Sequence, residues 1–319
     1  MLKTIIAAVA SVLFASATFA QSYPFQPIKV IVPYTPGTGM DTIARVTGTK
    51  LAARLGQPVV VENRPGASGN IGAAMVAKAP ADGHTLMVSA NTMLMAASIY
   101  KSVPYDVVQD FTPITMAAYG TMALVGSTSS GVDSIPALVQ RAKANPGKMT
   151  YGSPGVGTPH HLAMELFKDV TGTEVLHVPY KGTAGAVTDL LAGQIDLMFF
   201  PVHTAAPHVK AGKLKALAVG SARRHPAAPD VPTLREVGVP NVEVEAWYAF
   251  FAPKGLPPQI LDRLNSELRT ILAEPDVRDT LNKSGLDISS STPAELRTIV
   301  EQDFPRWAAV IRKNNITME

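Results

Sequence analysis

The chain reads Ile28-Lys-Val-Ile-Val-Pro-Tyr-Thr-Pro-Gly-Thr-Gly-Met-Asp41 where its first repeating unit begins. The β-rich run at residues 28–33 predicts a strand, a glycine-rich loop follows it, and a helical pattern starts at Asp41 and ends at Leu55. Strands that alternate with helices in this way are typical of α/β proteins whose sheets are mostly parallel. The stretch therefore predicts an α/β fold.

The alternation continues along the chain and then restarts. A fresh set of strands and helices begins at residue 122, and after a strand-like run at residues 244–251 only helices are predicted. These late helices have no sheet of their own, so we expect them to pack back on the first lobe. The pattern predicts two lobes, each a doubly wound sheet flanked by helices, with hinges near residues 121 and 246. The expected boundaries are residues 21–121 with 246–319 for lobe 1, and residues 122–245 for lobe 2.

Two glycine-rich loops lie between a predicted strand and a predicted helix, where an open α/β sheet places its ligands. They are Tyr34-Thr-Pro-Gly-Thr-Gly-Met40 and Pro154-Gly-Val-Gly-Thr-Pro159. Glycine lets the backbone approach a ligand closely, and the free N–H groups of a helix start attract an anion. Neither loop holds Arg or Lys. If the lobes face each other, we expect the loops at residues 37–41 and 153–160 to clamp one ligand carboxylate with backbone N–H and hydroxyl donors.

Each loop also fits an ordinary strand-to-helix turn. Thr158 is suited to cap a helix, with Pro159 in the first helical position. Asp41 is suited to a helix cap as well, and the alternative is that its carboxylate binds a ligand ammonium group. We expect Asp41 to be a cap, because a free carboxylate beside the ligand would repel an anion.

The first 20 of the 319 residues predict an export signal. Lys3 provides a positive start, residues 5–14 are apolar but too few to span a bilayer, and Thr18-Phe-Ala20 fits a cleavage site. We expect cleavage after Ala20 and a periplasmic protein that starts at Gln21.

Composition excludes several classes of protein. The chain has no cysteine, which excludes a lipid-anchored lipoprotein, a thiol enzyme, a disulfide scaffold and a cysteine zinc site. The formal net charge is only +3 and the basic residues are scattered, so no nucleic-acid partner is expected.

Motifs for catalysis and cofactor binding do not occur in the sequence. Thr42 stands where a dinucleotide fingerprint would have its third glycine, and there is neither a phosphate loop nor a Gly-x-Ser-x-Gly elbow. His161 and Glu165 are spaced to share a helix face as metal ligands, but no third ligand is visible. His177 fits a hydrogen-bonded histidine at a strand end better than a general base. We therefore expect no catalytic residue, no cofactor and no metal.

Blocks of sequence in a fixed order carry a family resemblance. They are Ile31-Val-Pro-Tyr-Thr-Pro-Gly37 with Asp41, Val61-Glu-Asn-Arg-Pro-Gly-Ala-Ser-Gly-Asn-Ile-Gly72, Ala81-Asp-Gly-His-Thr-Leu86, Tyr105-Asp106 with Asp110-Phe-Thr-Pro113, His177-Val-Pro-Tyr-Lys-Gly182, Asp189-Leu-Leu-Ala-Gly193 and Pro229-Asp-Val-Pro-Thr233. Together they resemble the Bug family of extracytoplasmic solute receptors, the substrate-binding components of tripartite tricarboxylate transporters. The resemblance runs from Tyr23 to Ile316.

The resemblance implies a two-lobed periplasmic binding protein of type II. Such a protein is a monomer and not an enzyme; it closes on a small carboxylate and delivers it to the transporter subunits of the inner membrane. In the family the ligand carboxylate meets the first-lobe loop, partly through bridging water, and faces residues of the second lobe. The resemblance implies the following ligand-binding residues: Tyr34, Gly37, Thr38, Gly39, Met40, Asp41, Ser89, Asn91, Thr92, Ser153, Gly157, Thr158, Pro159 and His160.

The first loop departs from the commoner Pro-Gly-Gly form of the family, because Thr38 follows Gly37 and Met40 precedes Asp41. The resemblance therefore does not identify the ligand. A secreted hydrolase on the same two-lobed frame is an alternative, and it would need an activated nucleophile. A ligand sensor without transport is another. The effector domain of a transcription regulator shares the fold, but the export signal and the lack of an N-terminal helix-turn-helix argue against it.

Overall fold

The computed structural model describes residues 23–180 and 182–317. The predicted signal peptide and Gln21 lie outside the described residues. The strands are β1 (Ile28–Val32), β2 (Val59–Asn63), β3 (Thr85–Ala90), β4 (Phe111–Ser127), β5 (Thr150–Ser153), β6 (Leu176–Pro179), β7 (Leu197–Pro201), β8 (Leu214–Val219), β9 (Glu245–Pro253) and β10 (Asp287–Ile288). The helices are α1 (Gly39–Leu55), α2 (Asn70–Ala77), α3 (Thr92–Ile99), α4 (Ile135–Ala144), α5 (Pro159–Thr171), α6 (Thr183–Leu191), α7 (Val202–Lys210), α8 (Pro258–Ala273), α9 (Pro275–Lys283) and α10 (Pro293–Lys313).

The strands pair in the order β2-β1-β3-β9-β4-β7-β5-β6, and β8 and β10 also pair with β4. β1 is parallel to β2 and β3, and β5 is parallel to β6 and β7. These parallel strands lie at the two ends of the order, so the predicted α/β fold is confirmed. β4 and β9 are antiparallel to all their neighbours, which the prediction of mostly parallel sheets did not include.

β4 is one strand of 17 residues. Its first part, up to Thr121, pairs with β9, and its second part, from Met122 to Ser127, pairs with β7 and β8. We expected a new strand to begin at residue 122, but the structure continues the strand that begins at Phe111 through this position. Irregular register between β4 and β9 near Pro113 accommodates the proline, because a bulge removes the need for its missing N–H.

Four clusters of buried side chains cover the two faces of the sheet at each end of the strand order. Around β1 and β3, α1, α8 and α9 cover one face, while α2, α3 and part of α10 cover the other. Around β5 and β7, α4 and α5 cover one face, and α6 and α7 cover the other. α8 and α9 pack back on the first sheet as expected. α10 differs, because Trp307 and Ile311 belong to the cluster around β5.

Sequence signals set the ends of the helices that matter below. Gly56 and Gly172 end α1 and α5 in the left-handed conformation that glycine adopts without strain.

The short helices α3 and α7 and the two-residue strand β10 were not predicted. Among the described residues, no helix is both long enough and apolar enough to cross a membrane.

Candidate functional site

The start of α1 is a turn built by glycine and threonine. Thr38 is the N-cap, and its Oγ1 accepts from the N–H of Asp41 at 3.4 Å and donates to the carbonyl of Thr35 at 3.2 Å. Gly37 has a φ of +84°, and its N–H donates to Oδ2 of Asp41 at 3.0 Å. The helix begins at Gly39, so the prediction of Asp41 as its first residue and cap is wrong. Asp41 lies in the first turn and closes it from within.

The start of α5 repeats this turn. Thr158 is the N-cap before Pro159, as predicted, and its Oγ1 donates to the carbonyl of Gly155 at 2.7 Å. Gly157 has a φ of +74°, and its N–H donates to Nδ1 of His161 at 3.0 Å. In both turns the threonine hydroxyl binds the carbonyl three residues earlier. In both, the glycine N–H binds the side chain four residues later.

The two turns leave the same kind of donor free. The first N–H groups of a helix have no acceptor within the helix, and at α1 these belong to Gly39 and Met40. At α5 Pro159 has no N–H, so the free groups are those of His160 and His161. The hydroxyl protons of the two threonines are already used inside the turns. Within the two turns, the donors that remain for an anion are backbone N–H groups, whereas the two threonine hydroxyls that we had also expected as donors bind carbonyls of the turns.

The carboxylate of Asp41 is neutralised within the protein. Arg45 donates through Nε to both of its oxygens at 3.0 and 3.1 Å, and Asn63 donates to Oδ1 at 2.9 Å. Burial alone would raise the pKa of Asp41, but the hydrogen bonds from Arg45, Gly37 and Asn63 outweigh it and hold the pKa below its ordinary value. This geometry argues against a bond from Asp41 to a ligand ammonium group, because Arg45 already occupies both oxygens.

Tyr34 and Thr92 lie together at the end of β1. The hydroxyl of Tyr34 is 2.7 Å from Oγ1 of Thr92 and donates to the carbonyl of Ser68 at 2.9 Å. Burial raises the pKa of Tyr34 to about 12, so the hydroxyl stays protonated. Tyr100 adds a further hydroxyl, 3.3 Å from Oγ of Ser68.

Three predicted residues carry a buried side-chain atom without a hydrogen-bond partner among the described residues. These atoms are Oγ of Ser89, Oδ1 of Asn91 and Nδ1 of His160. Asn91 is held by its other amide atom, which donates to the carbonyl of Glu245 at 2.9 Å. Buried polar atoms are rarely left unpaired in folded proteins, so each of these atoms is available to a ligand or to water.

Ser153 and His177 form the one hydrogen-bonded pair in the predicted second-lobe site that resembles a hydrolase nucleophile and base. Oγ of Ser153 lies 2.7 Å from Nε2 of His177. Ser153 is fully buried and also donates to the carbonyl of Gly155 at 3.0 Å. Burial, and then the neighbouring His161 and Lys168, lower the pKa of His177 to about 4. An imidazole of that pKa is a weak base, so the geometry fits a structural histidine, as expected.

The ring of His177 belongs to an aromatic stack. It lies 4.1 Å from the ring of His161 and 4.7 Å from the ring of Tyr151, nearly parallel to both. Nε2 of His161 is 3.8 Å from Glu165, whose carboxylate accepts from Lys168 at 2.7 and 2.9 Å. Within residues 23–180 and 182–317, no three His, Cys, Asp or Glu side chains gather as metal ligands.

The two predicted loops are not hydrogen-bonded to each other in the described part of the chain. The structure brings Tyr34 to Thr92, and Ser153 to the turn at Thr158, as two separate groups. The contact between them runs through α3, because a Cβ on Gly157 would lie only 2.6 Å from Cδ1 of Ile99. Two residues that hold Asp41, Arg45 and Asn63, were not among the predicted site residues. Only Arg45 gave a signal in the sequence, because it lies four residues after Asp41 on a predicted helix.

Comparison with known proteins agrees with this fold and with the resemblance. The family described as TctC, tripartite tricarboxylate transporter family receptor, matches residues 43–316. Protein BugT of Bordetella pertussis is 36% identical over 307 residues, which cover 96% of this chain and 94% of BugT. Among solved structures, a Rhodopseudomonas palustris protein with adipate is 33% identical with a TM-score of 0.78, and the alignment covers 92% of this chain and 99% of that one.

A second solved structure, MatC from Rhodopseudomonas palustris with bound malate, is 30% identical with a TM-score of 0.75. It aligns over 91% of this chain and 100% of its own length. The family match spans most of the chain, and BugT exceeds 30% identity over nearly its whole length. The chain therefore belongs to the TctC family of tripartite tricarboxylate transporter receptors, which includes the Bug proteins.

Proposed function

We propose that this protein is a solute receptor that captures a small carboxylate between two lobes and delivers it to a tripartite tricarboxylate transporter. The observation that carries the proposal is the repeated turn at the starts of α1 and α5. Each turn presents free N–H groups at the positive end of a helix, and each has its own charged or polar side chains already paired. The relatives solved with adipate and malate bind ligands of this class.

The lobes of the proposal are residues 21–121 with 246–319, and residues 122–245. The support is that β4 changes partners where β9 begins: Thr121 of β4 pairs with Glu245, the first residue of β9, and from Met122 onwards β4 pairs with β7 and β8. The proposed ligand-binding residues are the fourteen, from Tyr34 to His160, that the family resemblance implies. Closure would place the two turns on opposite sides of one ligand carboxylate. With a diacid, each turn would instead bind one of its two carboxylates.

Export, assembly and chemistry complete the proposal. The mature chain of the proposal begins at Gln21 and is periplasmic. The support for the location is that two solved relatives are described as periplasmic. We further propose a monomer that contacts the membrane subunits of the transporter and catalyses no reaction. The support for this last point is that Ser153 is buried and bonded to Gly155, so it is not placed as a nucleophile.

A thermal-shift screen tests the ligand class. Malate, adipate and other mono- and dicarboxylates are compared with their amides or methyl esters, which keep the shape but lose the charge. A ligand at 100 times its dissociation constant should stabilise the protein by about 2.7 kcal/mol. The amides and esters should have no effect. Stabilisation by the amides alone, or by no carboxylate at all, would contradict the proposal.

A pair of variants at one position tests the helix start. Gly39→Pro removes one N–H donor and is compatible with the first position of a helix, where α5 has Pro159. Gly39→Ala adds a Cβ at the same place and keeps the donor, so it controls for crowding against Tyr248. Loss of a hydrogen bond to a charged group costs about 1.5 to 3 kcal/mol, so Gly39→Pro should bind the carboxylate at least about tenfold more weakly than Gly39→Ala. Equal affinities by calorimetry would place the ligand elsewhere.

A further inference from the structure

Tyr248 lies on β9 where the parallel strands of the first sheet end. It pairs with Ala90, the last residue of β3, and on its other side with Ala118 of β4. Ligands of open α/β sheets bind beyond the carboxyl ends of the parallel strands. Tyr248 is therefore at the correct edge of the sheet to meet a ligand, on an antiparallel strand that contributes no glycine-rich loop.

Two glycines make room for the ring of Tyr248. A Cβ on Gly39 would lie 3.3 Å from Cε1 and Cζ of the ring, and a Cβ on Gly120 would lie 3.4 Å from Cε2 and 3.5 Å from the hydroxyl oxygen. The ring is thus packed between the start of α1 and β4, with Cε1 and Cζ beside Gly39 and the hydroxyl oxygen beside Gly120. It also packs against the buried cores around β1 and around β5. This double packing fixes the ring where the two proposed lobes meet.

The hydroxyl of Tyr248 has no hydrogen-bond partner in the described part of the chain. Three other tyrosines with half-buried or buried rings have bonded hydroxyls: that of Tyr23 bonds to Gly83, that of Tyr105 to Asn70 and that of Tyr180 to Asp189. The hydroxyl of Tyr119, on the opposite face of the sheet, is unbonded like that of Tyr248 in the described part of the chain. Burial raises the pKa of Tyr248, so its hydroxyl remains a neutral donor at neutral pH. Tyrosine hydroxyls in such surroundings usually find a partner.

We propose that the Tyr248 hydroxyl is a third donor to the ligand carboxylate, beside the N–H groups of Gly39 and Met40. The inference rests on the proposed function and extends it to a residue that lies outside both glycine-rich loops. A neutral phenol cannot form a salt bridge, but it can donate a hydrogen bond to a carboxylate oxygen. Such a bond is stronger when the acceptor is charged, so Tyr248 would favour a carboxylate over a neutral group. Because Tyr248 packs on both cores, a bond to the ligand also links binding to the junction of the lobes.

Tyr248→Phe tests the inference, since it removes only the hydroxyl. Tyr119→Phe is the matched control: Tyr119 pairs with Trp247 on the neighbouring register of the same two strands, so its ring lies on the opposite face of the sheet. Its hydroxyl also has no partner among the described residues. Calorimetric titration with malate and adipate should give at least a tenfold higher dissociation constant for Tyr248→Phe than for the wild type. Tyr119→Phe should match the wild type within about twofold.

Each outcome has a distinct meaning. If the wild-type protein binds no carboxylate, the proposed function fails and the inference that rests on it fails with it. If the wild type binds and Tyr248→Phe binds equally well, or both variants lose affinity equally, the inference is overturned while the function stands. A second measurement does not depend on affinity: with ¹³Cζ-labelled tyrosine, saturating malate or adipate should shift the resonance that disappears in Tyr248→Phe. An unshifted resonance in saturated protein overturns the inference.

Discussion

Burial keeps the histidines beside the candidate site uncharged. It lowers the pKa of His160 to about 4, and with the neighbouring His161 and Lys168 it does the same for His177. The start of α5 therefore carries no formal positive charge at neutral pH. Attraction of an anion to this turn must come from backbone N–H groups and from the helix dipole, whose effect falls off within the first turn.

The same pKa shifts predict acid sensitivity. The folded pKa of about 4 lies below the unfolded value of about 6.5, so as pH falls the unfolded chain takes up a proton first. The contribution of the neutral histidine to the free energy of unfolding is therefore fully present above pH 6.5 and is lost as the pH falls towards 4. For half-buried His177 we expect a loss on the order of 1 kcal/mol between pH 7.5 and pH 5. Urea unfolding at both pH values measures it.

His177→Gln should reduce that pH dependence by a similar amount, because glutamine can still bond to Ser153 but does not titrate. His208→Gln on α7 removes a histidine away from the stack and serves as the control. If His177→Gln and the wild type lose the same free energy of unfolding on acidification, the shifted pKa of His177 is not its source.

Single residues of the site were predictable where local backbone rules decide them. Thr158 followed by Pro159 has the chemistry of an N-cap and a first helical residue, and the structure places both there. Asp41 was wrongly predicted as the N-cap of α1. Thr38, three residues earlier, has the same capping chemistry and occupies that position. Arg45 was missed although it lies four residues after Asp41 on α1, a spacing at which opposite charges pair on a helix. Asn63 was not predictable, since its contact with Asp41 depends on how β2 lies beside β1.

At the scale of elements, the first part of β4, from Phe111 to Thr121, was not predicted because its sequence contains residues that are unusual in strands. Pro113 and Gly120 lie within the strand, and both residues usually mark turns or weaken strands. A buried network compensates at this point: Asn265 of α8 donates to the carbonyls of Ile114 at 2.7 Å and Ser291 at 2.9 Å. Ile114 is 151 residues from Asn265 in the sequence, and Ser291 is 26 residues from it. No local sequence pattern therefore predicts these contacts. Short α3 and α7 were missed for a related reason, because tertiary packing decides their existence.

The hydrogen bonds of Asn265 predict a measurable contribution to the stability of the protein. Asn265→Leu keeps the volume but leaves a buried carbonyl without its donor, which should lower the free energy of unfolding by about 1 to 3 kcal/mol. Asn145→Leu at the exposed end of α4 loses a similar amide bond, to the carbonyl of Arg141 at 3.3 Å, and should cost less than about 0.5 kcal/mol. Urea denaturation of both variants gives the comparison. Equal losses would mean that solvent or a rearranged side chain satisfies the carbonyl.

At the scale of the whole molecule, a second contact joins the proposed lobes away from the hinge strands. His225 Nε2 lies 2.7 Å from Oδ2 of Asp287, and the ring of His203 packs so closely on Gly285 that any Cβ there would overlap it. Two histidines of residues 122–245 thus hold one short segment, Gly285 to Asp287, which leads into β10. Leu286, between its two contact points, reaches the position of a Cβ on Gly39 at 3.3 Å, so this segment is also a neighbour of the start of α1.

Gly285→Ala should therefore favour an open arrangement of the lobes. The added Cβ cannot fit against His203, and φ at this position is +79°, where alanine is also strained. Gly255→Ala is the control, because it has the same kind of strain at φ +85° with nothing within 4 Å. Gly255→Ala should lose stability on the order of 1 kcal/mol, and Gly285→Ala should lose at least as much, because its Cβ also overlaps His203. Only Gly285→Ala should weaken binding of malate or adipate and keep a larger radius of gyration in small-angle scattering at saturating ligand. If both variants close to the wild-type radius and bind equally, the contact of His203 and His225 with this segment contributes nothing to closure.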